Sequence, residues 1–204
     1  MKRPVTVYAE MTPNPNTMKF VADHMLVEPG QVVEFLNRQE AIGHSSLAEA
    51  LFNFPFITSI FIANNFVTVY KNESIQWSDI SLELREFIKD WLSENEKAVE
   101  VLPEINEINL ENEVPTGLIP EPVINSVTDQ KIVDLIAEYV QPAVEQDGGA
   151  IHFQSFNQDS GQVTVVLKGS CSGCPSSTAT LKGGVETLLK THIPEINEVV
   201  ALNG

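Results

Sequence analysis

Between about Glu94 and Ser126 the chain changes character. Eight glutamates fall there (Glu94, Glu96, Glu100, Glu104, Glu107, Glu111, Glu113 and Glu121) against a single cation, Lys97, and Pro103, Pro115, Pro120, Pro122 and Gly117 interrupt them. Like charges repel along such a stretch, and each proline removes a main-chain donor and clashes with the preceding helical turn. Neither a long helix nor a packed core can be made from it. The chain therefore reads as two small domains, residues 1–95 and 127–204, joined by an extended, mobile acidic tether at 96–126. The competing reading is a solvated loop on one larger domain. With 204 residues and 43% hydrophobic content, both ends can still build cores, and the scattered Val101, Leu102, Ile105 and Ile108 can dock locally.

The first domain reads as a small α/β or α+β unit. Val5-Thr6-Val7-Tyr8-Ala9 alternates with a period of two, as does the stretch through Met18, Phe20 and Ala22, and Thr12-Pro13-Asn14-Pro15-Asn16 forms a loop between them. A short helix fits Ser45 to Phe52, with Ser45 as N-cap and Pro55 beyond its end. Two β-rich runs, Ile57 to Ala63 and Phe66 to Tyr70, flank Asn64-Asn65; asparagine tolerates positive φ, so a tight hairpin is expected. The clearest helix places Ile80, Leu84, Phe87, Ile88, Trp91 and Leu92 on one stripe, with Ser78 or Ser81 as its cap.

The second domain predicts the order helix, strand, strand, helix, strand. Ile132, Leu135, Ile136, Tyr139 and Val140 share a helical face capped by Thr128; Pro142 kinks or ends that helix, and Asp147-Gly148-Gly149 turns the chain. Strands fit Ala150–Phe156 and Gln162–Leu167 as an antiparallel pair across Asn157–Gly161. Pro175 suits the first turn of a helix whose apolar face is Leu181, Val185, Leu188 and Leu189, and a last strand covers Val199 to Leu202. Gly183-Gly184 inside that helix costs about 1 kcal/mol per glycine relative to alanine. Close packing against another backbone would account for the pair.

The only two cysteines, Cys171 and Cys174, lie in Lys168-Gly169-Ser170-Cys171-Ser172-Gly173-Cys174-Pro175-Ser176-Ser177. A tetrahedral zinc or an iron-sulfur cluster held by cysteine alone takes four thiolates, so one chain supplies half a site and a second copy must supply the rest. The pair falls between a strand end and a helix start, where free N–H groups and the positive end of the helix dipole favour a thiolate. Main-chain N–H groups and the serine hydroxyls would offset the clustered negative charge. The same two thiols also suit a thiol-disulfide oxidoreductase, a structural zinc bridging a dimer, or an incidental buried pair. Against the first, the proline follows the second cysteine instead of lying between the two. Against the last, the neighbours are glycine and serine.

Composition narrows the partners. A net charge of -16 and a pI near 4.5 oppose a broad phosphate-binding surface, so nucleic acid is not expected. No run approaches the roughly 18 apolar residues that cross a bilayer, so no membrane role is expected. Met1-Lys2-Arg3-Pro4-Val5 passes at once into β-like alternation, without the apolar core of a signal peptide or an Arg/Ser-rich presequence; with so few cysteines, this sets the expectation of a cytoplasmic protein. His24, His44, His152 and His192 are scattered without metal-ligand spacing and read as surface or strand histidines, and Asp147 reads as stabilising its turn. Asn14, Asn16 and Lys19 fit either a partner-recognition surface or a satisfied loop. No paired catalytic carboxylates, Ser-His-Asp arrangement or phosphate-binding loop is present, so no enzyme activity is expected.

Asp147-Gly148-Gly149 followed by Gly169-Ser170-Cys171-Ser172-Gly173-Cys174-Pro175-Ser176-Ser177 resembles the D-G-G and G-x-C-x-x-C-P-S-S signature of the NifU carboxy-terminal domain. The amino-terminal half, through Thr12-Pro13-Asn14-Pro15-Asn16-Thr17-Met18-Lys19-Phe20 and the hairpin near Phe61 to Lys71, is similar to the Nfu amino-terminal domain. The resemblance implies an α+β protein whose second module is NifU-like, acting as a carrier or scaffold for a 4Fe-4S cluster shared between two subunits. Cys171 and Cys174 then carry over as cluster ligands. The partners implied are a second copy on cluster binding, the cluster assembly machinery as donor, and apo iron-sulfur proteins as recipients.

Overall fold

The computed structural model describes residues 3–95, 97–103, 124–171 and 175–203, and the chain divides into two compact α+β units. Among the described residues no helix is long and apolar enough to cross a membrane.

In the first unit the strands are β1 (Val7–Met11), β2 (Thr17–Ala22), β3 (Val32–Phe35), β4 (Ile57–Ala63) and β5 (Phe66–Lys71), with helices α1 (Arg38–Ala41), α2 (Ser46–Leu51) and α3 (Trp77–Glu94). The strands form one antiparallel sheet in the order β1-β2-β5-β4-β3. Phe20, Val33, Phe35, Ile60, Ile62, Val67 and Val69 bury one face of it against Leu47 and Leu51 of α2 and Ile80, Leu84, Ile88 and Leu92 of α3. The expected hairpin is β4–β5, and Asn64 takes the positive φ of 44° that lets the turn close.

Capping accounts for the helix starts. Asn37 accepts the Glu40 N–H at 3.2 Å while the Glu40 carboxylate accepts the Leu36 N–H at 2.8 Å, a reciprocal box that holds the four-residue α1. Ser45 caps α2 as expected, accepting from the Ala48 N–H at 3.0 Å. The expectation for α3 is corrected: the helix begins at Trp77 after Gln76, which makes no side-chain cap, so neither Ser78 nor Ser81 has that role. Its start is held instead by the Trp77 indole N–H, which donates to the Pro15 carbonyl at 3.0 Å.

The first part of the acidic stretch packs on this unit. The Ser45 hydroxyl donates to the Ala98 carbonyl at 2.7 Å, Glu100 accepts the Ser46 N–H at 2.9 Å and also the Ser46 hydroxyl, and Val101 N–H reaches the His44 carbonyl at 3.2 Å. Ala98 is buried and Val99 and Leu102 lie against the core. Residues 104–123 of the expected tether lie outside the described residues.

The second unit runs α4 (Val127–Leu135), a π turn (Ile136–Val140), α5 (Gln141–Gln146), β6 (Gly149–Asn157), β7 (Gln162–Gly169), α6 (Pro175–His192) and β8 (Glu198–Asn203). The order is the expected one. The α4 cap is Ser126, not Thr128: its hydroxyl accepts the Asp129 N–H at 3.0 Å, and Asp129 accepts the Asn125 N–H at 2.8 Å. Pro142 has no N–H for the preceding turn, and the helix absorbs this by widening into the π turn and continuing as α5. The sheet order is β6-β7-β8, antiparallel between the first pair and parallel between the second, with α6 as the crossover. Ile151, Phe153, Val163, Val165, Leu167 and Val199 bury one face under the helices, against Ile132, Ile136, Val144, Val185 and Leu189. Within this chain Gly183 and Gly184 meet no other backbone: both are exposed, and a Cβ at either would meet nothing within 4 Å.

Candidate metal centre

Three short segments converge on Cys171. α5 ends at Asp147, whose N–H bonds the Ala143 carbonyl at 3.1 Å, and Gly148 follows with φ +80°, the left-handed conformation that closes a helix with little cost only for glycine. The expected structural role of the Asp147 turn is thus that of a helix end. Gly149 then opens β6 and lies opposite Gly169, the last residue of β7. Gly169 turns the chain with φ +65°, and the Ser170 N–H donates to the Gly148 carbonyl at 3.2 Å.

This places Cys171 directly over the start of β6. A Cβ built on Gly149 would stand 2.8 Å from the Cys171 Sγ and 2.7 Å from the Lys168 carbonyl oxygen, so the sulfur occupies the space a side chain would need. Cys171 is 5% exposed and Ser170 is buried beside it. Cys174, the second sequence-derived ligand, lies outside the described residues; α6 starts directly after it with Pro175 in the first turn.

The histidines are dispersed. His24 Nδ1 pairs with the Asp23 carboxylate at 2.9 Å, and its ring, together with the Thr6 N–H, holds Asp23 below the usual carboxylate range. His44 Nδ1 is 3.1 Å from the Val101 carbonyl oxygen, and the His192 ring stacks on Tyr139. His152, on β6, is largely buried with its Nε2 unbonded; burial, and secondarily the Lys168 charge, lower its pKa to about 4. Among the described residues no group of three or more His, Cys, Asp or Glu side chains comes together to hold a metal ion. Cys171 is the one cysteine among the described residues, and it lies in a main-chain turn. Sequence reading misses Gly149, because a glycine after a glycine reads as a turn and its contact with the sulfur depends on strand register.

Both units match known protein families. Residues 7–95 match the family model described as scaffold protein Nfu/NifU N terminal, and residues 132–200 match the NifU-like domain. A NifU-like protein of Schizosaccharomyces pombe is 31% identical over 97% of this chain and 73% of its own length. The Drosophila willistoni protein named NFU1 iron-sulfur cluster scaffold homolog, mitochondrial, is 33% identical over 97% of this chain and 64% of its length, and the Arabidopsis thaliana NifU-like protein 4, mitochondrial, is 29% identical over 97% and 66%. The solution structure of a Saccharomyces cerevisiae NifU-like protein superposes with a TM-score of 0.43 and 26% identity, covering 48% of this chain and 87% of its own.

A five-stranded antiparallel unit followed by a NifU-like unit bearing the cysteine turn defines a two-domain scaffold-type α+β protein. The chain belongs to the Nfu/NifU-like family. One expectation is overturned: the Drosophila and Arabidopsis relatives are named mitochondrial, which points to mitochondria and away from the cytoplasm. This chain spans 64% and 66% of those two relatives, so residues Met1–Val5 are no guide to a leader sequence.

Proposed function

We propose that the protein carries an iron-sulfur cluster as cargo, binding a 4Fe-4S cluster between two copies of the second unit through Cys171 and Cys174 of each. The observation that carries this reading is the sulfur count: a family whose relatives are named cluster scaffolds meets a chain with only two cysteines, spaced C-x-x-C. Four thiolates then require two chains. Delivery proceeds by ligand exchange without catalysis by the carrier. A recipient cysteine thiolate forms a bond to iron as the bond from Cys171 or Cys174 breaks, and the displaced thiolate stays with the carrier. Electrons and cluster charge are unchanged at each exchange. Recipients are apo iron-sulfur proteins, and the donor is the assembly machinery that builds the cluster. The net charge of -16 favours partners with basic surfaces.

Anaerobic reconstitution with iron and sulfide tests the proposal. The expected result is a broad visible absorption band, roughly four irons per dimer, and a monomer-to-dimer shift in ultracentrifugation, all lost in Cys171→Ser and in Cys174→Ser. A loaded monomer, or a serine variant that loads normally, overturns it. Dithiol-dependent insulin reduction would identify the oxidoreductase instead, and tight colourless zinc the structural metal.

A further inference from the structure

Gly148 and Gly149 are adjacent glycines with different reasons to be glycine. Gly148 sits at φ +80°, where any side chain is strained. Gly149 is not among the positive-φ glycines, so conformation does not require it, but space does: its absent Cβ would fall 2.8 Å from the Cys171 Sγ, 3.2 Å from the Cys171 Cβ and 2.7 Å from the Lys168 carbonyl oxygen. The two obstacles differ in kind. The carbonyl belongs to β7, whose Lys168 is paired with Ala150, so the ladder holds it. The sulfur ends a side chain that can rotate.

The geometry points to Gly149 as the positioning residue for the Cys171 thiol, seating the sulfur on bare main chain so that it is presented in one orientation. This rests on the reading of Cys171 as a cluster ligand. A sulfur already confined by its seat loses less rotational freedom when it binds iron, and binding is correspondingly tighter. Alanine at 149 displaces the sulfur, the one of these obstacles that side-chain rotation can move, while the Lys168 carbonyl at 2.7 Å still has to give way. The thiol then leaves its 5%-exposed seat for solvent.

A double-mutant cycle on the full-length apo chain tests the contact without any cluster. Unfolding is measured for the parent, Gly149→Ala, Cys171→Ala and the double variant, and alkylation of the Cys171 thiol is followed in a Cys174→Ser background with and without Gly149→Ala. Expected are a smaller loss of stability from Gly149→Ala when residue 171 is alanine than when it is cysteine, and a severalfold faster alkylation of Cys171. Equal losses in both backgrounds with an unchanged alkylation rate overturn the assignment, since glycine would then serve only the Lys168 carbonyl. Should Gly149→Ala alone fail to fold, recovery of folding in the double variant supports the assignment and failure to recover overturns it. The ligand reading is separated by reconstituting Cys171→Ser: normal loading there defeats that reading and leaves the coupling result standing.

Discussion

The two units make different use of irregular backbone. In the first, a five-stranded sheet and its helices bury a broad apolar face, and the positive-φ glycines Gly30 and Gly43 sit in loops with open space around them. In the second, a three-stranded sheet carries Gly148 and Gly169 at positive φ within the turn around Cys171, the crowded Gly149 between them in space, and a π turn in the helix that leads to it. Positive-φ positions occur in both units, Asn64 among them in the first, but around Cys171 two positive-φ glycines flank a third whose Cβ would meet the thiol. Backbone irregularity cannot be read as weakness without asking which side chain it serves.

The largest effect expected is on the packing unit. Leu84, fully buried on α3, loses about 2–5 kcal/mol of stability on truncation to alanine. Denaturant unfolding should show this loss in the transition of the first unit, with cluster loading by the second retained; a parallel loss of loading would break the comparison.

Next comes pH. His152 is held neutral in the folded second unit, its pKa lowered to about 4 first by burial and then by Lys168. The unfolded chain takes up that proton below about pH 6.5. Between these values the unfolded state binds the extra proton, so stability is full above the unfolded pKa and falls as the pH is lowered, by at most about 3 kcal/mol. Urea midpoints from neutral to mildly acidic pH should show this slope, and His152→Gln should flatten it; an unchanged slope in the variant would remove His152 as its source.

A smaller loss follows from Ser45→Ala, which removes both the α2 cap and the bond to the Ala98 carbonyl. About 1–2 kcal/mol is expected, within the range for a cap residue. Faster amide exchange at residues 97–103 would show that the same hydroxyl holds both segments. The smallest effect has the opposite sign. Gly184→Ala meets open space on α6 and should stabilise the second unit by up to about 1 kcal/mol. A lower melting temperature in the apo chain would mean that the exposed glycine face is covered in solution and would break the reading of that face as open.

Much of this architecture is legible in the sequence. The β4–β5 hairpin follows from its Asn64-Asn65 turn between two β-rich runs, although both strands are buried along most of their length, and α3 follows from its apolar stripe. β3 leaves no such signal because Val32, Val33, Glu34 and Phe35 are all buried, which erases the alternation a half-buried strand shows. α1 is too short for a helical period, although its Asn37 and Glu40 carry a capping signature. The α4 cap is ambiguous in sequence because Ser126 and Thr128 both stand at its start, and the return bond from Asp129 selects Ser126, whereas α3 starts after Gln76 with no side-chain cap. The cysteines are visible as chemistry. The seat of Cys171 is not, since it depends on Gly149 facing Gly169 across two strands.

The double duty of Ser45 bears on how the first unit should be isolated. A fragment cut after Asn95, where the family match ends, would strip the partner from that hydroxyl, uncover the seat of Ala98 and Leu102, and leave the His44 carbonyl without the Glu100 and Val101 donors it now accepts. Extending the boundary to Pro103 keeps that closure within one polypeptide, and such a fragment should be the more soluble and the slower to be cleaved by protease.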